Sequence, residues 1–226
     1  SLSENLSSQG KKSIVLPLGE VKITRKVSSI LVIFRSCSNV NIWSQNKKRI
    51  FESSRNEYTL RSFNSLIKSF KVAMSNLPNI KFEICVVDDN SDKNTVEKIN
   101  SLIKSINVEY SFFNVDKSEF INLIDEKKDN ETFSNLSSLL KCYTLAKHKS
   151  KDLVFFVEDD YLHQSSTLQE MIMTYERLAS QFNREIFLCP SDYPYLYQKP
   201  EDTNIFLGNE RHWQSIQQSL CTFLTS

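Results

Sequence analysis

Apolar positions along the chain fall into two patterns that alternate. Ile30-Leu31-Val32-Ile33-Phe34, Ile84-Cys85-Val86-Val87 and Leu153-Val154-Phe155-Phe156-Val157 are unbroken β-branched and aromatic runs, the mark of strands covered on both faces; a half-exposed sheet would show apolar and polar residues in alternation. Val108 to Val115 and Ile186-Phe187-Leu188-Cys189 are weaker strand candidates, and Leu220 to Leu224 reads as another. Between these runs the period changes to 3.6. Leu60, Phe63, Leu66, Ile67, Phe70 and Met74 share one helical face, as do Val96, Ile99, Leu102, Ile103 and Ile106. Phe133, Leu136, Leu140 and Tyr143 form a third stripe, and Leu168, Met171, Ile172, Tyr175, Leu178 and Phe182 a fourth, with Thr167 and Glu170 spaced as a capping box. Strands that alternate with helices predict an α/β fold: a mostly parallel central sheet with right-handed crossovers and helices on both faces.

Ahead of this pattern, Ser1 to Ser13 has no periodicity, and Ile14-Val15-Leu16 and Val21-Lys22-Ile23 flank Pro17-Leu18-Gly19-Glu20, a turn between two edge strands. Residues 1–27 are expected to form an arm with short edge strands, and residues 28–226 one domain.

Composition narrows the function. Across 226 residues, 28 Lys and Arg balance 27 Asp and Glu to a net charge of +1, without the basic excess that nucleic-acid binding exploits through counterion release. No apolar stretch reaches the roughly 20 residues that span a bilayer. The five cysteines contain no C-x-x-C pair and the three histidines are scattered, so neither a disulfide framework nor a zinc site is expected. A cytoplasmic location follows from the cysteine usage, with an acceptor at a membrane face still allowed; the oligomeric state is left open. Glycine occurs at positions 10, 19 and 208 alone, which excludes both the G-x-G-x-x-G turn and the P-loop.

Chemistry must therefore rest on carboxylates, and these cluster where strands end. In an open parallel sheet, ligands bind beyond the carboxyl ends of the strands. The first run ends in Arg35-Ser36-Cys37-Ser38, the second in Asp88-Asp89-Asn90-Ser91-Asp92 and the third in Glu158-Asp159-Asp160. Extended geometry puts Glu158 and Asp160 on one side and Asp159 on the other. Carboxylates this close repel unless a cation sits among them, and a hard Mg²⁺ or Mn²⁺ that bridges a diphosphate suits them. The Asp89 to Asp92 segment also reads as a turn with a helix N-cap.

These residues carry a resemblance. Ile84 to Ser91 resembles the VVDDxS segment of family-2 glycosyltransferases, and Phe155 to Leu162 resembles their DxD motif in the EDD form of the N-acetylglucosaminyltransferase I type. The likeness spans about residues 28 to 190. It implies a GT-A fold, the Rossmann-like nucleotide-diphospho-sugar transferase arrangement. It also implies metal-dependent transfer of a hexosyl group, with inversion, from a UDP- or GDP-sugar to a sugar or glycolipid hydroxyl in polysaccharide or glycoconjugate synthesis. By that match Asp160 holds the Mn²⁺ or Mg²⁺, and Asp88, Asp89, Ser91, Glu158 and Asp159 contact the nucleotide sugar, with Arg35, Ser36, Glu57 and Lys141 nearby. The donor site is expected in residues 28–165 and the acceptor side in 186–226.

Inversion needs a carboxylate to take the acceptor proton; the candidates are Glu210, which follows Gly208, and Asp192. Tyr193, Tyr195 and Tyr197 at period two, with Trp213, offer rings to sugar faces. The alternatives are a receiver-like phosphoacceptor domain, suggested by Val86 to Asn90, and a non-catalytic nucleotide-sugar-binding module on the same fold.

Overall fold

A computed structural model of the protein describes residues 2–4, 13–15, 21–38, 53–125, 129–191 and 202–226. The three unbroken apolar runs become β3 (Ser29–Ser36), β4 (Lys81–Asp88) and β6 (Leu153–Glu158), which lie side by side and parallel. With β5 (Glu109–Asn114) and the short β9 (Phe223–Thr225) they form a five-stranded sheet in the order β5-β4-β3-β6-β9, in which β9 alone is antiparallel. Each predicted stripe becomes a helix: α1 (Arg55–Asn76), α2 (Lys93–Lys104), α3 (Asn130–Lys149) and α4 (Thr167–Phe182).

Because side chains alternate along a strand, the central strands feed two cores. Ile30, Val32, Phe34, Ile84, Val86 and Phe155 pack against α1, α2 and α4, whereas Leu31, Ile33, Cys85, Val87 and Phe156 face Cys142 and Ala146 of α3. Full burial of a Phe or Ile side chain contributes roughly 2 kcal/mol, and Phe34 meets Phe63 of α1 edge to face at 4.7 Å. The chain winds from β3 outward to β5, then crosses back beneath the sheet through α3 to β6. The reversal falls between β3 and β6, the position at which open α/β sheets bind their ligands.

Three local expectations change. Val21 to Ile23 is not a strand; this stretch leads into a strap along α4, where Ser180 Oγ accepts from the Thr24 and Arg25 amides at 3.0 and 2.9 Å and Glu176 Oε1 from that of Val27 at 2.8 Å. β2 (Ser13–Val15) instead joins β1 (Leu2–Glu4), β7 (Thr203–Leu207) and β8 (His212–Gln214) in a second sheet. Ile186 to Cys189 makes one bridge, Leu188 to Leu224. Leu188 points inward while Phe187 stands out in solvent, and Pro190 has no amide to extend the ladder. The Thr167 and Glu170 capping box does not form: Ser166 is the N-cap of α4, and the Glu170 carboxylate turns to another element.

Candidate active site

The end of β3 is the hub on which the two acidic clusters meet. Ser36 is paired with Asp88 in the β3–β4 ladder, and its buried hydroxyl donates to Asp88 Oδ1 at 2.6 Å. The Ser91 amide donates to Asp88 Oδ2 at 3.0 Å across a turn in which Asn90 takes a left-handed φ of 65°, a conformation asparagine tolerates better than most residues. The Asp89 carboxylate accepts from Ser134 of α3 and lies 3.3 Å from Lys117 Nζ. Asp92, by contrast, is the N-cap of α2: it accepts from the Thr95 amide at 3.0 Å, and bonds from the Thr95 hydroxyl and amide hold its carboxyl below the usual range. Capping and site-building are thus divided within one segment.

On the other flank of β3, the Glu158 carboxylate meets its ladder neighbour Arg35, which also donates to Ser138 Oγ at 3.1 Å. Burial pushes the Glu158 carboxyl up, Asp160 and Asp159 add to the rise, and Arg35 opposes it. Asp159 points to the opposite side, toward α1. There its carboxylate accepts from Arg55, from Thr59 Oγ1 at 2.8 Å and from the Cys37 amide at 3.1 Å. Burial raises the Asp159 carboxyl as well, against the pull of Arg55. The strand ends at Glu158, so Asp160 does not continue the alternation: it sits in a turn with Arg55 Nη1 3.8 Å from its Oδ2.

Exposure then separates the carboxylates. Asp88, Asp89 and Asp159 are buried and fully engaged, while the Asp160 side chain is 44% exposed. No group of three or more His, Cys, Asp or Glu among the described residues could form a cage for a metal. Asp160 fits instead a hard cation that takes one carboxylate and completes its shell with water and phosphate oxygens.

Other expected residues are placed less centrally. Glu57 is in the first turn of α1 and pairs with Arg61 at 2.6 Å, and Lys141 pairs with Glu119 at 2.7 Å. Asp192, Tyr193, Tyr195 and Tyr197 lie outside the described residues. Glu210 is exposed at the tip of the β7–β8 hairpin, and half-buried Trp213 donates its indole N–H to Glu170 Oε1 at 3.1 Å. Both border a cavity of about 1640 Å³ that Tyr161, Gln164 and Gln214 also line. Arg55, Thr59, Lys117 and Ser134 were not singled out by sequence reasoning. Each reaches its aspartate across a long stretch of chain, and no local period or spacing marks it.

Residues 52–223 match the family model for glycosyl transferase family 2. The chain belongs to that family. The family-2 domain here has the GT-A arrangement, a mostly parallel sheet with helices on both faces. Similar solved structures include S. aureus TarS, at 16% identity and a TM-score of 0.38 over 71% of this chain and 21% of that one. Another is glucosyl-3-phosphoglycerate synthase from Mycobacterium tuberculosis in complex with UDP, at 12% identity and a TM-score of 0.32 over 64% of this chain and 39% of that one. The family-2 chain thus spans well under half the length of either. A search of curated proteins gives no match. Among the described residues no helix is long and apolar enough to cross a membrane.

Proposed function

We propose that this family-2 domain transfers a sugar from a nucleoside diphosphate sugar to an acceptor hydroxyl with the help of a divalent cation. One observation carries the reading: Ser36 and Cys37, adjacent at the end of β3, bond to Asp88 at the end of β4 and to Asp159 just past the end of β6, which ties the two acidic clusters together at the point where the sheet order reverses.

In this scheme the Asp88 and Asp89 turn receives the nucleoside, and Glu158 and Asp160 face the diphosphate and sugar. Mn²⁺ or Mg²⁺ held by Asp160 would neutralise charge on the departing diphosphate. The acceptor oxygen bonds to the anomeric carbon as the bond from that carbon to the diphosphate oxygen breaks, and the electron pair leaves with the nucleoside diphosphate. The acceptor attacks from the face opposite the departing diphosphate, which inverts the configuration, and Glu210 or Asp192 takes its proton there. Trp213 supplies an apolar ring to a sugar acceptor. Polysaccharide or glycoconjugate synthesis at the cytoplasmic side is the setting this chemistry suits. A screen of UDP- and GDP-sugars for release of free nucleotide in Mn²⁺ tests the reading; turnover of one donor that stops on chelation supports it, and inertness toward all of them contradicts it.

A further inference from the structure

Glu170 stands on α4 with only 4% of its surface exposed. A buried carboxylate is costly unless fully hydrogen-bonded, and five donors surround this one. The Asn209 and Arg211 amides reach Oε1 at 3.2 and 3.3 Å, the Glu210 amide reaches Oε2 at 2.8 Å, and the Trp213 indole and Thr174 hydroxyl each reach Oε1 at 3.1 Å. Successive backbone N–H groups that converge on one anion form the concave nest with which turns capture phosphate or carboxylate from solution; here the captured anion belongs to the chain. Close approach is enforced by Gly208, where a Cβ would stand 2.4 Å from Trp213 Nε1 and 2.5 Å from Thr174 Oγ1. Burial acts to raise the Glu170 carboxyl, but the bonds from Trp213, Glu210, Thr174 and Asn209 outweigh it and hold it below the usual range. The latch therefore stays charged at neutral pH.

We infer that Glu170 is the positioning residue of the acceptor side: its carboxylate latches the tip of the β7–β8 hairpin to α4 and so fixes where Glu210 and Trp213 stand over the cavity. The role rests on the reading of that cavity as the acceptor side. The latch itself does not. A hairpin tip without this anchor leaves its base and its ring to wander, and misplacement of reacting groups by about 1 Å costs about a hundredfold in rate.

The test uses the full chain with Glu170→Gln and Glu170→Asp. Hydrogen exchange of the 209–211 amides reports the latch, and cleavage of UDP-glucose, UDP-N-acetylglucosamine and GDP-mannose by water in Mn²⁺ reports its role. In Glu170→Gln the 209–211 amides are expected to exchange at least about tenfold faster while β3, β4 and β6 stay protected. The kcat for cleavage should fall at least about tenfold with donor KM within about twofold. Glu170→Asp, which keeps the charge and guards against a misfolded amide variant, should fall between. Unchanged protection of 209–211 overturns the latch, and a raised donor KM with unchanged kcat overturns its role. Protection lost in Glu170→Gln while the wild type cleaves no donor sustains the latch and counts against the transferase reading alone.

Discussion

Ser36 and Asp88 stand side by side in the β3–β4 ladder, and Ser36 Oγ donates to Asp88 Oδ1 at 2.6 Å. The bond spends a buried hydroxyl on a carboxylate at the strand end, where a purely structural sheet would place another apolar residue. It fixes the orientation of Asp88 within the fold itself, the preorganisation that the proposed nucleotide site needs.

Asp88→Asn should therefore separate stability from binding. The Ser36 hydroxyl can reverse and accept from the new amide while the amide oxygen still accepts from the Ser91 N–H, so the loss of stability is expected to stay near about 1 kcal/mol. Nucleoside diphosphate affinity should fall by at least about tenfold. Thermal melting and calorimetry on one preparation check both, and full nucleotide affinity in the variant would remove Asp88 from the site.

Arg55 is the charge partner that makes buried Asp159 tolerable, with the two side chains 17% and 6% exposed. Arg55→Ala strands that carboxylate and should cost about 3 kcal/mol, against a neutral effect for many surface changes. Asp159→Asn added to Arg55→Ala should recover part of the loss, because no unpaired charge then remains. Equal melting temperatures for the single and double variants would show that the pair does not carry the interaction.

Helix and strand were legible in residues 28–182 because burial sets the periods there. The runs at Ile30, Ile84 and Leu153 are apolar on every position since helices cover both faces, and the strand ends then located the acidic clusters. What the sequence withheld depends on distant partners. Nothing in the neighbourhood of Arg55 announces Asp159, 104 positions away, and Glu170 has capping-box spacing yet serves a hairpin some 40 residues further on. Gly208 beside Glu210 is needed for its missing side chain, not for an unusual φ, and that need is set by Trp213 and Thr174, which no local pattern marks. Of the two short strands expected ahead of residue 28, Ile14–Val15 forms as part of β2, inside its sheet and not at an edge, and Val21–Ile23 does not form: a stretch of three or four residues pairs according to what lies beside it.

His163 gives a pH dependence with a definite sign. Its Nε2 is buried without a partner among the described residues, and burial lowers the imidazole from 6.5 to about 4. The unfolded chain thus takes up a proton that the folded chain refuses, so the contribution of His163 to stability is whole above pH 6.5 and is lost as the pH falls toward 4. The full effect is at most about 3 kcal/mol. Denaturant unfolding across this window should show the loss in the wild type and a flatter profile in His163→Leu; parallel profiles would contradict it.

In the proposed function Asp88 and Asp160 serve one nucleoside diphosphate, Asp88 at the nucleoside and Asp160 through a cation at the diphosphate. Calorimetric titration of UDP and GDP in Mn²⁺ and in chelator, for the wild type and Asp160→Ala, tests it most directly. One nucleotide is expected to bind the wild type at least about tenfold more tightly with Mn²⁺, and Asp160→Ala, whose exposed side chain leaves the fold intact, to bind equally in both conditions. A wild type indifferent to Mn²⁺, or a variant that keeps the full metal response, would contradict it.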